Sequence, residues 1–350
     1  MLPITHVIPM TTIRRELTLP VPGTVVVRMN ERVQAGDVLA EAEPAARYYT
    51  LDLARALGVS PKEAVRHLRR ERGERVDAGD ILAGPVGLTR RTLRAPAAGE
   101  IVGVQDGRIT FEARGTPLAL RASFTGVVVG TDGVQSVTLE ATGALVQGVW
   151  GNGKQDTGVM RQVSSAAGDR IEPEQFDLSL RGAVLLGGIC AHPGALQQAA
   201  ELSVRGIILG SLAADLVPHV RRLGFPVLVT EGFGEIPMNS AAFSLLTTNV
   251  GREVTVDGRV GGPYTLQRPE VIIPLPASRQ VSLPDEVVPI HPGIRVRVIH
   301  PPYMGAVGVV RELPARAVPY PSGVLARSAR IELEGIGAAM VPLANLEVLQ

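Results

Sequence analysis

The stretch ERVQAGDVLA at residues 31–40 returns as ERVDAGDILA at residues 74–83, with eight of the ten residues identical. Each copy is typical of a strand, a glycine-aspartate turn and a second strand. Gly36 and Gly79 permit the turn, and the alternating valine and leucine residues supply one inward face. Internal similarity of this kind is a signature of repeated structure. It predicts that the N-terminal third of the chain consists of short strands joined by tight turns.

The composition of the whole chain agrees with short strands. A chain of 350 residues predicts two to four domains, and 45% hydrophobic residues suffice for packed cores. The 39 glycines and 27 prolines favour tight turns over long helices. The net charge of +1 does not indicate any class of partner.

Several features of the sequence point to a cytoplasmic protein. Cys190 is the only cysteine, so no disulfide can form within the chain, which fits a reducing compartment. The chain contains no run of 18 apolar residues and no signal-peptide pattern at its start. We therefore expect a cytoplasmic protein without a membrane partner.

A second, related element surrounds the repeat. VPGTVV at residues 21–26 is similar to APAAGEIV at 95–102, and residues 124–128 resemble both. Together with the repeat, this pattern resembles the barrel-sandwich hybrid of biotinyl and lipoyl domains. The resemblance implies such a domain over residues 1–115, with an insertion at 47–73. Carrier domains present a modifiable lysine in a hairpin, and neither lysine of this chain lies in one, so no carrier role is implied.

The insertion at residues 47–73 has the apolar period of two helices. Gly58 ends the first, and Ser60 followed by Pro61 begins the second. The segment 53–65 resembles a helix-turn-helix. The basic residues of the second helix would be Lys62, Arg66, Arg69, Arg70 and Arg72. One interpretation is contact with DNA, and the other is a helical hairpin whose basic face is solvated.

The region 116–180 is predicted to be rich in strands and glycine. It contains GVWGNGKQ at residues 148–155, which nearly matches a phosphate-binding loop. Gln155 replaces the serine or threonine that would hold magnesium, and no apolar-periodic helix follows. We therefore interpret the stretch as a glycine-rich turn around Trp150.

Residues 181–258 alternate continuous apolar strands with helices, which predicts a Rossmann-like parallel sheet. Ligands of such sheets bind beyond the carboxyl ends of the strands. The residues predicted to bind a small ligand there are Gly187, Gly188, His192, Gly210, Ser211, Thr230, Glu231 and Gly232. The alternative is a structural α/β spacer.

No catalytic residue, metal site or cofactor is assigned from the sequence. Cys190 and His192 are only two positions apart, so a Cys-His nucleophile is not expected. The chain also has no further pair that would complete a zinc pattern.

The C-terminal region divides into a linker and a small domain. Residues 259–287 are rich in proline and glycine, as in a linker. Within residues 288–350, PGIRVRVI at 292–299 and HPPYMGAVGVV at 300–310 resemble a KOW motif. That motif belongs to SH3-like barrels of ribosomal proteins and NusG-type elongation factors. The resemblance implies a small barrel that binds RNA, DNA or protein.

A basic and aromatic surface of that barrel is the candidate for nucleic-acid contact. Its residues would be Arg295, Arg297, Tyr303 and Arg311. The alternative is that the two arginines of the first strand merely line its solvent side.

The predicted fold class is multi-domain and β-rich: a barrel-sandwich hybrid, a Rossmann-like parallel α/β unit and an SH3-like barrel. The first functional hypothesis is a non-catalytic adaptor or scaffold that binds protein, and also RNA, through the KOW-like barrel. The second is an accessory or catalytic enzyme subunit that binds a small anionic ligand, with His192, Glu231 and Glu235 as titratable groups. The third is a DNA-binding protein that uses the insertion. A protein partner is expected before RNA, and RNA before DNA.

Overall fold

A computed structural model describes residues 4–115, 117–261, 267–276, 282–284 and 288–350. Over these residues the chain is β-rich, and its strands form several separate sheets. The predicted β-rich, multi-sheet character is therefore confirmed.

The strands and helices follow the chain in this order. The strands up to residue 147 are β1 (Ile4–Thr5), β2 (Val7–Thr18), β3 (Thr24–Val25), β4 (Arg32–Val33), β5 (Val38–Ala42), β6 (Arg47–Asp52), β7 (Arg75–Val76), β8 (Ile81–Val86), β9 (Arg91–Arg94), β10 (Gly99–Gln105), β11 (Arg108–Ala113), β12 (Leu118–Arg121), β13 (Gly126–Thr131) and β14 (Ser136–Gln147). Those after it are β15 (Trp150–Gly151), β16 (Gln155–Gln162), β17 (Val184–Leu186), β18 (Ile189–Cys190), β19 (Gly206–Leu212), β20 (Val227–Phe233), β21 (Glu253–Asp257), β22 (Glu270–Pro274), β23 (Arg295–Val298), β24 (Val307–Glu312), β25 (Val318–Pro319), β26 (Leu325–Ala326), β27 (Ser328–Leu333), β28 (Gly337–Pro342) and β29 (Leu346–Leu349). The α-helices are α1 (Leu53–Leu57), α2 (Pro61–Arg66), α3 (Pro193–Glu201), α4 (Val217–Val220) and α5 (Ser240–Thr247).

A large sheet takes strands from both halves of the chain. Its order is β15-β20-β19-β17-β16-β21-β22-β14-β13-β4, with β2 also paired to β14 and β18 to β19. The strands β16, β17, β19 and β20 are parallel neighbours. The last three are buried runs rich in valine, leucine and isoleucine, except for the exposed Phe233 at the end of β20, as expected for strands covered on both faces. The predicted alternation of parallel strands with helices between residues 181 and 250 is confirmed.

Two similar units lie in the N-terminal part of the chain, one inserted into the other. The first module consists of residues 17–42 and 118–140, because β5 pairs with β12, and β4 with β13. The second module consists of residues 47–113, which lie between β5 and β12 and form their own strand pairs. The structure therefore divides this region differently from the predicted domain at 1–115, since the partners of the first repeat come after residue 117.

The repeated turn has the same conformation in both modules. Gly36 and Gly79 have φ values of 90° and 87°, which favour glycine because a Cβ would be strained there. The amide of Gly36 donates to Ala122 O, and that of Gly79 donates to Ala95 O, both at 2.9 Å. The predicted role of the two glycines is confirmed.

The strand that pairs beside the turn also matches. Val33 pairs with Gly126 in the first module, and Val76 pairs with Gly99 in the second. Both Gly99 and Gly126 approach a carbonyl of the next strand so closely that an added Cβ would lie within 2.6 Å of it. The two modules therefore share a backbone register as well as a sequence pattern.

The cores of the two modules differ in extent. The core of the first includes Leu39 and Phe124 and continues into Leu145 and Ile272 of the large sheet. The core of the second contains only residues of that module, among them Leu82 and Phe111. The first module is therefore part of the large sheet, whereas the second packs on itself.

The helices of the second module are shorter than predicted. Asp52 accepts the Arg55 amide at the start of α1, Gly58 ends α1 with a φ of 71°, and Ser60 precedes Pro61 at the start of α2. These boundaries are as predicted. However, residues 47–52 form β6 because they pair with β11, and α2 ends at Arg66. The arginines at 69, 70 and 72 therefore do not lie on a recognition helix.

The C-terminal sheet has the order β1-β29-β23-β24-β27-β28. It encloses a core that includes Val296, Ile331 and Val348. β1, at the start of the chain, lies parallel to β29 at its end. The sheet therefore combines residues 4–5 with strands between residues 295 and 349.

Part of the predicted linker at 259–287 is instead a central strand. β22 lies between β21 and β14 in the large sheet, and its Val271 and Ile273 are fully buried. The short apolar run was obscured by the prolines around it. Residues 262–266, 277–281 and 285–287 of the predicted linker lie outside the described residues.

Candidate functional site

The predicted ligand site at the strand ends is occupied by loops of the chain itself. The amide of Gly188 donates to Ser164 Oγ at 2.8 Å, and an added Cβ at Gly188 would clash with Asp169 O. An added Cβ at Gly187 would lie 2.7 Å from the Ile171 side chain. The loop before β17 thus covers the first of the three strand ends.

The other strand ends are covered in the same way. An added Cβ at Gly210 would lie 2.7 Å from the backbone nitrogen of Met238. Ser211 Oγ accepts the Ile236 amide at 2.9 Å, and Thr230 Oγ1 donates to a backbone carbonyl of β19. Gly232 is buried with a φ of 124°. The glycines and hydroxyls that were predicted to bind a ligand therefore serve internal packing.

Cys190 and His192 do not form a nucleophilic pair. The Cys190 thiol is buried and donates to the His192 carbonyl at 3.5 Å rather than to its ring. Burial raises the pKa of the Cys190 thiol to about 12, so it is protonated at neutral pH. His192 is exposed at the start of α3.

Glu231 binds Arg297 of the C-terminal sheet. Its Oε2 accepts Arg297 Nη1 at 2.6 Å, and its Oε1 accepts the backbone and side-chain nitrogens of Asn239. Arg297 Nη1 also donates to Thr230 O at 2.8 Å. The side chains of Arg297 and Glu231 are 3% and 0% exposed. The prediction that Arg297 contacts nucleic acid is therefore wrong, since its guanidinium lies inside the protein.

A second carboxylate completes the environment of Arg297. Glu347 binds Arg297, Thr5 and Arg268, the last at 2.6 Å from Arg268 Nη1. Burial by itself would raise the pKa of Glu347, but Arg297, Thr5 and Arg268 lower it below its usual value. We name Arg297, Glu231, Glu347 and Arg268 the docking cluster, because they join the C-terminal sheet to the large sheet.

The other predicted nucleic-acid residues do not form one surface. Arg295 is paired with Glu334 at 2.7 Å and also reaches Ser240. Tyr303 packs against the core of the C-terminal sheet. Arg311 is exposed. Of the four predicted residues, one is buried and two are engaged within the protein.

The glycine-rich loop at 148–155 uses several of its amides within the protein. Gly148 N donates to Pro269 O at 2.7 Å, Val149 N to Val229 O at 2.9 Å, and Gly153 N to Gly258 O at 2.8 Å. These hydrogen bonds join the loop to the large sheet and leave those amides unable to hold a phosphate. The interpretation as a glycine-rich turn around Trp150 is wrong in one respect, because Trp150 and Gly151 form β15 and pair with β20.

A cleft that the sequence did not reveal lies where the large sheet divides. β14 pairs with β13 through its first half and with β22 through its second, and the cleft opens between these two partners. Its volume is about 1070 Å³. Arg15 binds Glu270 through two hydrogen bonds, at 2.7 and 2.5 Å. Arg259 binds Asp257 in the same paired manner.

One polar group in the cleft has no partner. Ser123 is 4% exposed, and its Oγ has no hydrogen-bond partner within the parts of the chain that the structure describes. A buried hydroxyl without a partner costs free energy, so this atom is suited to accept or donate to a bound molecule. The lining comes from strands far apart in sequence, which is why no local motif indicated it.

The described residues include no group of three or more histidine, cysteine, aspartate or glutamate side chains placed to hold a metal ion. Within the same ranges, no helix has the length and apolar composition needed to cross a bilayer. No protein-family model matches the chain, and no curated protein matches it either.

Proposed function

We propose that the chain is a non-catalytic adaptor that holds a protein-binding C-terminal module at a fixed position. The observation that carries this proposal is the buried contact of Arg297 with Glu231 and Thr230. In parallel α/β sheets the carboxyl ends of strands are the usual place for ligands. Here the same positions bind another part of the chain, as an internal joint would require.

The proposal includes an assignment for each unit. Both modules are barrel-sandwich hybrids without a carrier lysine, which their common turn, register and glycine positions support. The α/β segment is Rossmann-like, and residues 288–350 together with β1 form an SH3-like barrel with a KOW motif. The adaptor is cytoplasmic.

The partner of the C-terminal module is a protein that contacts the hairpin β25–β26. Val324 and Leu325 in this hairpin are 58% and 67% exposed, and the turn between the strands includes Tyr320 and Gly323. Exposed apolar side chains next to each other are typical of protein docking sites. Only Arg311 among the predicted RNA-binding residues is exposed without a described partner, so protein is favoured over RNA.

The test is crosslinking in the source cells with tagged full-length chains. The variant Val324→Asp/Leu325→Asp should lose a crosslinked protein that the wild type retains, because two charges would be buried at the contact. The matched control is Met29→Asp/Val134→Asp, which charges two exposed apolar residues of the first module. Equal crosslinking by the wild type and both variants would contradict docking at the hairpin.

A second candidate function is favoured by the unpartnered Ser123 hydroxyl. In this case the chain is an enzyme subunit that binds a small anionic molecule in the cleft beside Arg15 and Arg259. A ligand that binds only the folded state raises Tm as its concentration rises above its Kd. A rise with a nucleotide or an acyl-CoA that Ser123→Ala reduces would support this function. No rise with any such compound at millimolar concentration would contradict it.

The third hypothesis is DNA binding by a helix-turn-helix, and the insertion has no helix long enough to serve as the recognition helix. α2 has six residues and ends at Arg66. Arg70 lies beyond the helix and binds Glu74 and Asp80 at 2.6 and 3.3 Å. Reading of base edges in a major groove requires a longer helix than this.

A further inference from the structure

The second module differs from the first in charge although the two share a backbone register. Residues 47–113 contain twelve arginine and lysine residues against nine aspartate and glutamate residues, a net charge of +3. Residues 17–42 and 118–140 contain three against five, a net charge of −2. The second module is thus the more positive of the two, and it is also the module that does not share strands with the large sheet.

Several acidic side chains of the second module serve its own structure. Asp52 accepts the Arg55 amide at the start of α1. Glu74 and Asp80 both bind Arg70, and each also accepts an amide of its own turn. These carboxylates are therefore held by the turns of the module and by Arg70, and none of them is paired with the exposed cations named below.

Six cationic side chains remain exposed on two hairpins. They are Arg55, Lys62, Arg66 and Arg69 in or just after α1 and α2, and Arg90 and Arg91 in the β8–β9 hairpin. None of the six forms an ion pair with any residue that the structure describes. Exposed cations without partners keep their full attraction for an external anion.

The two hairpins lie side by side, so their charges add. Leu68 forms a β-bridge with Ala83, and Gly84 N donates to His67 O at 3.0 Å. An added Cβ at Gly58 would clash with Arg91 Nη1, so this guanidinium covers the end of α1. Cations from both hairpins thus belong to one continuous part of the surface.

We propose that these six side chains bind the phosphate backbone of a nucleic acid. Five of them are arginines, whose planar guanidinium groups match two phosphate oxygens at once. Short helices and turns provide no element that could enter a groove, so the contact is with phosphates and does not depend on base sequence. The binding surface lies on the second module, not on the C-terminal module.

The same surface is poorly suited to a lipid bilayer. A basic surface binds anionic lipids more strongly when an apolar face inserts beside it. Beside the six cations, only Leu88 and Val65 are exposed large apolar residues among the described residues of the two hairpins. A polyanion with regularly spaced phosphates is the better complement to this charge.

The experiment is fluorescence anisotropy of the full-length chain with a labelled 20-nucleotide RNA and a labelled 20-base-pair DNA of mixed sequence. We expect binding that weakens steeply with salt, because each phosphate contact releases counterions. The variant Arg66→Gln/Arg69→Gln/Arg90→Gln should bind at least tenfold more weakly. Its plot of log affinity against log salt should be shallower by about 3, at ~0.9 per contact on duplex DNA.

Two further variants sharpen the result. Arg66→Lys/Arg69→Lys/Arg90→Lys should keep most of the affinity, because the charges remain. The matched control Arg311→Gln/Arg316→Gln/Arg327→Gln removes three arginines from the C-terminal module and should change the affinity less than twofold. Circular dichroism and Tm should show that all variants fold.

Three results would overturn the proposal. The first is no binding by the wild type at low salt. The second is a loss of affinity in the C-terminal control that equals or exceeds the loss in the second-module variant. The third is tighter binding to vesicles of phosphatidylglycerol and phosphatidylcholine than to either nucleic acid. The adaptor proposal is unaffected by these results, because it rests on the buried contact of Arg297 and on docking at the hairpin β25–β26, neither of which involves the second module.

Discussion

The two modules show how one local pattern acquires two different positions in a protein. In both, the turn glycine has a positive φ and its amide donates to the same kind of alanine carbonyl. The first module shares β13, β14 and its core with the large sheet. The second has a separate core and separate strand pairs. The repeated sequence therefore specifies the unit, and residues outside the repeat decide how the unit is attached.

The C-terminal sheet is attached in a third way. It meets the large sheet through the docking cluster, whose side chains are almost all buried. We expect substitutions at shared strands or at buried charges to destabilise the units that these contacts join. The second module is joined to the rest of the chain by two short connections. We therefore expect only substitutions within this module to lower its stability.

The largest effect should come from Arg297→Met, which removes a buried partner of two carboxylates. Leaving Glu231 and Glu347 buried without it should lower the free energy of unfolding by about 3–5 kcal/mol. We expect faster hydrogen exchange in β23 and β29, measured by mass spectrometry. The second module should keep its hydrogen-exchange protection.

Arg330→Met serves as the control for that variant, since Arg330 is exposed in the same C-terminal sheet. Its hydrogen exchange in β23 and β29 should match the wild type. Loss of protection in the second module of the Arg297 variant would contradict its independence from the docking cluster.

A pair of core substitutions tests the two modules directly. Leu39 and Leu82 occupy the same position in the repeat and are both fully buried. Replacing either by alanine should lower stability by about 2–5 kcal/mol through lost burial and a cavity. In calorimetry, Leu39→Ala should lower the main transition, whereas Leu82→Ala should separate a new transition at lower temperature.

Both variants serve as controls for each other, because the chemical change is the same. Hydrogen exchange should locate the early transition of Leu82→Ala within residues 47–113. A single transition shifted equally in both variants would show that the second module unfolds together with the large sheet.

The turn glycines should give equal effects in the two modules. Gly36 and Gly79 have open space where a Cβ would project, so alanine would meet no clash and only the positive φ would be unfavourable. Each substitution should cost about 1–2 kcal/mol, measured by chemical denaturation of the unit concerned. A clearly larger cost at Gly36 would show that the large sheet constrains the first turn.

A smaller loss of stability should distinguish residues 122–127 of the first module from the equivalent residues 95–100 of the second. Gln155 in β16 donates from Nε2 to Ser123 O of the first module at 2.8 Å. Gln155→Ala should cost about 0.5–1.5 kcal/mol and increase hydrogen exchange near residues 122–127. Exchange in residues 95–100, the equivalent part of the second module, should not change.

The smallest effect should come from mild acid. Since the pKa of Glu347 in the folded protein is lower than the ordinary glutamate value of 4.5, its contribution to stability is complete above that value. It is lost as the pH falls through the lower, folded-state pKa. At about pH 4 only a small part of this stabilisation should be lost, seen as slightly faster hydrogen exchange in β29. Glu347→Gln should abolish this difference between neutral and mildly acidic pH.

The sequence predicted features that depend on neighbours along the chain. The turns at Gly36 and Gly79, the helix ends at Gly58 and Pro61, and the parallel strands after residue 181 follow from backbone preferences and apolar runs. The candidate sites were predicted less well. Arg297 alternates with Val296 along its strand, and this pattern is the same whether its face meets water or another sheet.

By itself, then, the sequence determined the local units of this protein: a repeated β element, an α/β segment and a C-terminal set of strands. Only the tertiary structure decided that residues 118–140 complete the first module, that β1 joins β29, and that Glu231 binds Arg297 instead of a ligand. The physical reason is the distance along the chain over which each interaction acts. Turn and strand preferences act over a few residues, whereas the burial of a charge depends on which distant side chain reaches it.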